Sequence, residues 1–420
     1  MRTLLFLGLL TLLNSRAAEM PAISVVREAG HTKVTFAGTL QASSAVTGPW
    51  IELTNAISPY FEAESDRRFF RARASESIFA AQSVAEFTVI GPLQEHFELA
   101  FAGLPDGIFP PVREKPWFEG SLQIEGRTIP ATLRVRGNSS LQECPFPKLK
   151  FKVSRDDRAG TSFFDAREVK IGTHCAEGGR GSIGRLREEK AAYREALAYE
   201  IMHVLGFTGP RVRRARIQYR DISPVMEGRE AGWDLTRMAI IFDDPEVVAE
   251  RLGGRALDDE EVGALTNASF KAQLILDLHL LHVLLGNWDY GLSEDGRNLW
   301  NTEVLELADR TLVPMAGDFD LASIVTENVQ DDAPWDYFPE LPPLERRARF
   351  KIAEALKEAS LEQAEQAKSR FLQKRAALES LAASALLDEA GRTNAQAHLE
   401  AFFTALNGKE GPKDEETPRR

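Results

Sequence analysis

Apolar and polar residues change rhythm about halfway along the chain. Within 22–73, ISVV, TKVTFAG and RFFRARA cluster or alternate β-formers, and TGPW and SPY punctuate them as turns. Between 86 and 172, EFTVIG, HFELAFAG, WFEGSLQIEG, TIPATLRVRGNSS and KLKFKVS read as successive strands with Gly- and Asp-bearing turns. From Leu186 the period becomes helical: Leu186, Tyr193, Leu197, Ile201 and Val204 share a stripe, and Gly206 and Pro210 end it. VRRARIQYR, 212–220, reads as a strand whose arginines stand on a solvated face. A second helix carries Phe270, Leu274, Leu278, Leu281 and Leu285 on one stripe, and 343–406 is helical and rich in Ala, Glu, Leu and Lys.

This order, a β-rich half and then a helix-rich half, predicts an α+β fold. The organisation expected is a leader over 1–17, a small accessory β module over 22–73, a linker over 74–85, a main domain over 86–405 and a disordered polar tail over 407–420. The stretch TLQASSAVTGPWIELTNAISPYFEAESDRRFFRAR resembles a short module found at the ends of many secreted bacterial proteins.

Composition narrows the partners. The chain has 420 residues, 43% hydrophobic and 27% charged, ordinary values for a folded protein. A net charge of −12 argues against a nucleic-acid partner, which needs a clustered basic excess. Met1-Arg2, then TLLFLGLLTLL, then Ser15 and Ala17 at the small positions of a cleavage site read as a secretory signal peptide. No later stretch is long and apolar enough to span a bilayer, so the mature chain is expected to be exported, with no stable membrane insertion after signal cleavage, and a monomer. In that oxidising setting Cys144 and Cys175 suggest one disulfide.

The chemistry concentrates in LLGNWDYGLSEDGRNLW, 284–300. Gly286 lets the chain turn at the end of the second helix. Asn287, Asp289 and Asn298 then fall on a loop held by a rigid element. Downstream, LVPMAGDFDLAS places Asp318 and Asp320 around Phe319. Two oxygen-bearing loops suit a hard divalent cation, Mg²⁺ or Mn²⁺, that keeps positions open for phosphate oxygens. Phosphoryl transfer also needs a cation for the nucleotide. Lys148, Lys150 and Lys152 alternate on one face of a strand, next to Arg134 and Arg136. One of those lysines is placed to reach phosphate, Lys150 first and Lys148 next, with Glu195 or Glu200 of the following helix to orient it. The order Asp289, Asn298, Asp318-Phe319-Asp320 follows that of protein kinases, with a longer Asp-to-Asn spacing and Asp in place of the final Gly.

RVRGNSSLQECPFPKLKFKV, REALAYEIMHVLGFTGPRVRRARIQYRD, LLGNWDYG…RNLW and GDFDLAS resemble, in that order, the motifs of the CotH kinase family of secreted atypical protein kinases. The resemblance covers roughly 86–405. It implies a kinase-like two-lobed fold, a β-rich lobe over about 86–220 and a helical lobe over about 221–405. It also implies ATP with a divalent metal, and transfer to Ser or Thr of secreted or surface proteins. Carried over, Asp289 is the catalytic-loop aspartate, Asn298 closes that loop, Asp318 binds metal with Asp320 beside it, and Arg136 belongs to the RGNSS element. The segment after Arg220 departs from the family by lacking its G-x-Y-x-x-x-E stretch.

Duller explanations stand beside these. Aspartates at strand ends cap turns, strand lysines face solvent, and His279 and His282 pack or orient the loop. Gly179, Gly181 and Gly184 have dinucleotide-loop spacing, but the preceding strand is polar and HCAE intervenes. The rival reading is a non-catalytic exported binding or scaffold protein with a degenerate kinase-like fold.

Overall fold

Ile129, Ala131, Leu133 and Val135 are buried while the residues between them are not, so Arg127–Arg136 has one packed face and one open face. Neighbours with the same rhythm build the central sheet around it. The computed structural model describes residues 23–28, 31–36, 39–53, 60–63, 69–73, 76–80, 83–102, 115–137, 141, 146–172, 190–225, 232, 234–291, 299, 301–357 and 359–408. The signal segment 1–17, Cys144, Cys175, Asn298, the glycines at 179, 181 and 184 and the tail from 409 lie outside the described residues, so the disulfide expectation does too.

The chain divides into two compact units. One comprises Met1–Ser77, Glu125–Arg127 and Arg155–Asp165. It holds β1 (Ile23–Glu28), β2 (His31–Phe36), β3 (Thr39–Ser43), β4 (Ile51–Glu52), β5 (Tyr60–Ala63) and β6 (Phe69–Arg73). These make two three-stranded antiparallel sheets, β1-β2-β5 and β4-β3-β6. Val34, Leu40 and Ala42 are buried, and Arg71 lies 4.4 Å over the Trp50 ring.

The second unit comprises Ile78–Ile124, Thr128–Ser154 and Ala166–Arg420. Its strands are β7 (Ala85–Gly91), β8 (Trp117–Ile124), β9 (Arg127–Arg136), β10 (Lys148–Lys152), β11 (Glu168–Gly172), β12 (Val212–Asp221) and β13 (Asp234–Asp243). They close a barrel in the order β10-β11-β13-β12-β7-β8-β9, with β7 and β12 paired in parallel. Leu149 and Phe151 are buried on β10, which leaves Lys148, Lys150 and Lys152 on the opposite face. Two expectations change here. HFELAFAG does not form a strand: Leu93–Phe101 is helix α1, with Leu93 and Phe97 buried four residues apart. Its first amide groups donate to Asp221 Oδ1 (3.0 Å) and Ser223 Oγ (3.0 Å), a cap supplied from far along the chain. The arginines of β12 are not all solvated either. Arg214 is buried, pairs with Glu200 and donates from Nε to the Tyr193 carbonyl at 3.2 Å.

The longer helices are α2 (Ala191–Val204), α3 (Pro245–Leu252), α4 (Ala272–Leu285), α5 (Pro343–Lys357), α6 (Leu361–Ala382) and α7 (Glu389–Asn407), so the expected tail gives up residue 407 to α7. Leu197, Ile201, Leu278, Leu281, Leu285, Phe319, Phe371 and Phe402 belong to one buried cluster, each contributing about 1.5–3 kcal/mol by burial. A small sheet, β14 (Gly254–Ala256), β15 (Thr302–Leu307) and β16 (Leu312–Ala316), completes the unit. The fold is mixed α and β. Among the described residues no helix is long and apolar enough to cross a membrane.

Candidate active site

The loop after α4 and the loop after β16 are fastened to each other at two points. At the first, Gly286 takes a left-handed conformation (φ +62°) at the end of α4, and a Cβ there would fall 1.9 Å from Ser323 Oγ. Only glycine accepts both the dihedral and that approach. Ser323 then donates from its amide (3.1 Å) and its hydroxyl (3.2 Å) to the Gly286 carbonyl. The second point follows from register. Thr302 of β15 stands opposite Ala316 of β16, so Asn301 and Gly317, one residue outside, face each other. The Gly317 amide donates to the Asn301 carbonyl at 3.1 Å.

Asp289 hangs on this frame. Its amide donates to Asn287 Oδ1 (3.1 Å), and Asn301 Nδ2 donates both to its carbonyl oxygen (2.8 Å) and to its Oδ2 (3.1 Å). Asn287 is itself fixed: its Nδ2 donates to His282 Nδ1 (3.1 Å) and its carbonyl accepts from Arg347 (3.2 Å). His282 is sealed in the core, stacked on Tyr290 with centroids 3.8 Å apart, and burial pulls its pKa down to about 3. Both histidines contact Tyr290: His279 Nδ1 lies 3.4 Å from its hydroxyl.

On the second loop, Phe319 is fully buried, edge-on to Tyr199 at 4.9 Å. Anchoring that ring leaves Asp318 and Asp320 at its two sides. Asp318 sits at φ +52°, a left-handed position that Asp tolerates better than most residues, and its amide donates to the Tyr199 hydroxyl at 3.1 Å. Across from the pair stands Lys148, at the start of β10. Its Nζ lies 2.7 Å from Asp320 Oδ2 and 3.4 Å from Asp318 Oδ1.

The charges are unevenly satisfied. Burial opposes the charge of Lys148, but Asp318, Asp320 and Glu195 outweigh it and hold its pKa above the ordinary lysine value. Lys148 holds the Asp318 carboxyl below its usual range; although hemmed in by protein, 47% of that side chain remains open to solvent. Burial first, and then the Asp318 charge, push the Asp320 carboxyl up to about 6. Glu195, on α2 and nearly sealed from solvent, is part of the same field.

The structure thus brings Lys148, Glu195, Asp318 and Asp320 together. Lys150, preferred from the sequence, turns to Glu168 (2.7 Å) and Asp244 (3.6 Å) instead, and Glu200 is engaged by Arg214. Arg136 lies with its guanidinium 5.2 Å from the Phe242 ring, its Nη1 buried without a hydrogen-bond partner among the described residues. Two contributors escaped sequence reasoning. Asn301 is the asparagine seen on Asp289; pairing TEVLEL with LVPMA by period would have put it opposite Gly317. Tyr199 lies off the single helical stripe read for α2, whose residues 191–199 are buried all round.

Asp318 and Asp320 share one cation in this structure, and among the described residues no group of three or more His, Cys, Asp or Glu could hold a metal ion. A pair of carboxylates with one edge open fits Mg²⁺ or Mn²⁺, which bind through one or two carboxylates plus water and phosphate.

No protein-family model matches the chain. No curated protein matches it either. A solved structure, the crystal structure of the Golgi casein kinase, aligns over 62% of this chain and 68% of its own at 10% identity, with a TM-score of 0.32. That likeness is too low to define the fold.

Proposed function

We propose that this chain is an exported, metal-dependent phosphotransferase of the atypical protein kinase type, related to the CotH kinases, that moves the γ-phosphoryl group of ATP to Ser or Thr of secreted or surface proteins. The observation supporting this most directly is the junction of Lys148 with Asp318 and Asp320, 3.4 and 2.7 Å apart, between a barrel strand and a loop braced to Asp289. Phosphoryl transfer is chiefly a matter of positioning and charge neutralisation, and these are the groups it uses. Lys148 grips phosphate oxygens. Asp289, held from two sides by Asn287 and Asn301, orients the acceptor hydroxyl and takes up its proton. Asp318 and Asp320 would hold a Mg²⁺ or Mn²⁺, and such an ion, when bound, neutralises charge on the phosphates. Asn298 remains the proposed closing residue of that loop.

The test is transfer of label from γ-labelled ATP by purified chain with Mg²⁺ or Mn²⁺ to a mixture of exported proteins. Transfer lost in both Asp289→Ala and Asp318→Ala supports the reading; transfer that persists in both overturns it. One observation favours the scaffold alternative. Lys148 already bridges the two aspartates, as an inert internal ion pair would. Nucleotide with Mg²⁺ discriminates the two, because a ligand far above its Kd raises stability by about RT ln(1 + [L]/Kd), and the scaffold would show no shift.

A further inference from the structure

Lys170 of β11 stands opposite Lys150 of β10, and Lys150 stands opposite Arg134 of β9. Three cations occupy neighbouring positions on three adjacent strands, an arrangement that weakens a sheet. Lys150 is well served by Glu168 at 2.7 Å. Lys170 is not. Its side chain is only 16% exposed, and its one ion-pair partner among the described residues is Asp244 at 3.5 Å, which Lys150 shares. Burial accordingly lowers its pKa; Asp244 and, more weakly, Glu303 oppose that, while Arg136 and Lys150 add to it, and the net direction is downward. The residue opposite Lys170 on its other side is Phe242, the same ring on which Arg136 rests with its partnerless Nη1. Both cations act on Asp318, so both belong to the field of the metal-binding loop. A buried ammonium short of counter-charge and an unsatisfied guanidinium N–H are costly apart, and one multiply charged anion answers both.

Resting on the nucleotide reading of this site, we propose that Arg136 and Lys170, beside Phe242, form an anion subsite separate from Lys148 that binds the non-transferred phosphates of the nucleoside triphosphate. Lys148 grips the transferred phosphate beside the acidic loop, and this second pair fixes the rest of the polyphosphate chain.

Calorimetric titration of the full chain with MgATP, adenosine and inorganic tripolyphosphate tests the assignment, using Lys170→Met, Lys170→Gln and Lys170→Arg. The two neutral variants should bind MgATP and tripolyphosphate about tenfold or more weakly and adenosine unchanged, while Lys170→Arg stays near wild type. Unliganded, the neutral variants should melt no lower than wild type, because the ammonium they remove is under-paired. If wild type and both neutral variants bind MgATP alike, the subsite is wrong and the kinase reading stands. If wild type binds tripolyphosphate as tightly as MgATP and adenosine not at all, the subsite stands for phosphate alone and the nucleotide reading falls. If wild type binds neither MgATP nor tripolyphosphate, both are wrong.

Discussion

Arg194 and Glu195 are consecutive on α2, both are nearly sealed from solvent, and each belongs to a different buried ionic cluster. Arg194 grips Asp388 through Nε (3.2 Å) and Nη2 (2.8 Å) and reaches Glu327 with Nη1 at 2.7 Å. Asp388 also accepts from the Gly391 amide at 3.1 Å, capping α7, and the contacts with Arg194 hold its carboxyl below the usual range in spite of burial. Both acids of that cluster face the Arg194 guanidinium. From the next residue along α2, Glu195 joins Lys148, Asp318 and Asp320, and Asp320 is left with a carboxyl pushed up to about 6. The parts are the same in kind and the balance is opposite: one set of charges ties helices together, and the other still has room for a cation. Unbalanced buried titratable groups of that second sort mark sites where something else binds.

The largest effect should come from removing the groups on the unfinished side. Asp318→Ala and Asp289→Ala should each lower phosphoryl transfer by about a thousandfold or more, roughly 4 kcal/mol of transition-state stabilisation, measured as initial rate with saturating MgATP. Neither should lower the melting temperature much. On the finished side, Arg194→Met strands Asp388 and Glu327 without their cation. It should cost about 3–5 kcal/mol of stability, read from urea midpoints at constant slope. If Asp318→Ala destabilises the fold as severely as Arg194→Met, the two clusters are alike and both are structural.

The sequence announced one cluster and hid the other. Asp289, Asp318 and Asp320 were legible because their short motifs lie in order beside glycines that turn the chain, and the lysine strand was legible from its period of two. Which lysine meets the acids was not, because Lys148 and Lys150 share a face and only the tertiary approach of the second loop separates them. Asn301 was missed for a related reason: its role depends on the pairing of β15 with β16, which no local window contains. Helix α1 was read as a strand because its cap comes from Asp221 and Ser223, far along the chain, and no local capping residue signals its start. Arg194, Asp388 and Glu327 have no motif at all; charge pairs 194 residues apart in sequence are invisible until the helices pack.

A smaller effect distinguishes the clusters by pH. Asp320 has its folded pKa raised from 3.8 to about 6, so the folded state binds that proton more tightly than the unfolded chain does. Its contribution to stability is therefore fully present below pH 3.8 and is lost as pH rises through about 6, on the order of 2–3 kcal/mol at most. Asp388, with a lowered pKa, behaves oppositely: its contribution is present above the unfolded carboxylate range and is lost only in stronger acid. His282 and His398, held down to about 3 and about 4 by burial, lose stability as pH falls below 6.5 and partly mask the Asp320 trend. The difference between wild type and Asp320→Asn isolates it. Wild type should lose melting temperature relative to Asp320→Asn between pH 4 and 7, and saturating Mg²⁺ should shrink that loss. Parallel curves would mean the Asp320 carboxyl is already compensated.

The smallest expected effect concerns the neighbour that the sequence favoured. Lys150 is bound to Glu168 at 2.7 Å and lies 3.6 Å from Asp244, and Glu168 is shared with Lys152 at 3.1 Å. Removing it leaves both acids with another lysine, since Asp244 keeps Lys170 at 3.5 Å. Lys150→Met should therefore change transfer by no more than about threefold, within about 1 kcal/mol. Lys148→Met deprives two aspartates of their only lysine partner among the described residues and should cost about a hundredfold. Rates of the two variants measured side by side sharpen the contrast between finished and unfinished clusters to a distance of two residues on one strand. If Lys150→Met is the slower enzyme, the phosphate-facing lysine is not the one that touches the acidic loop, and the junction at Lys148 is a structural pair like that of Arg194.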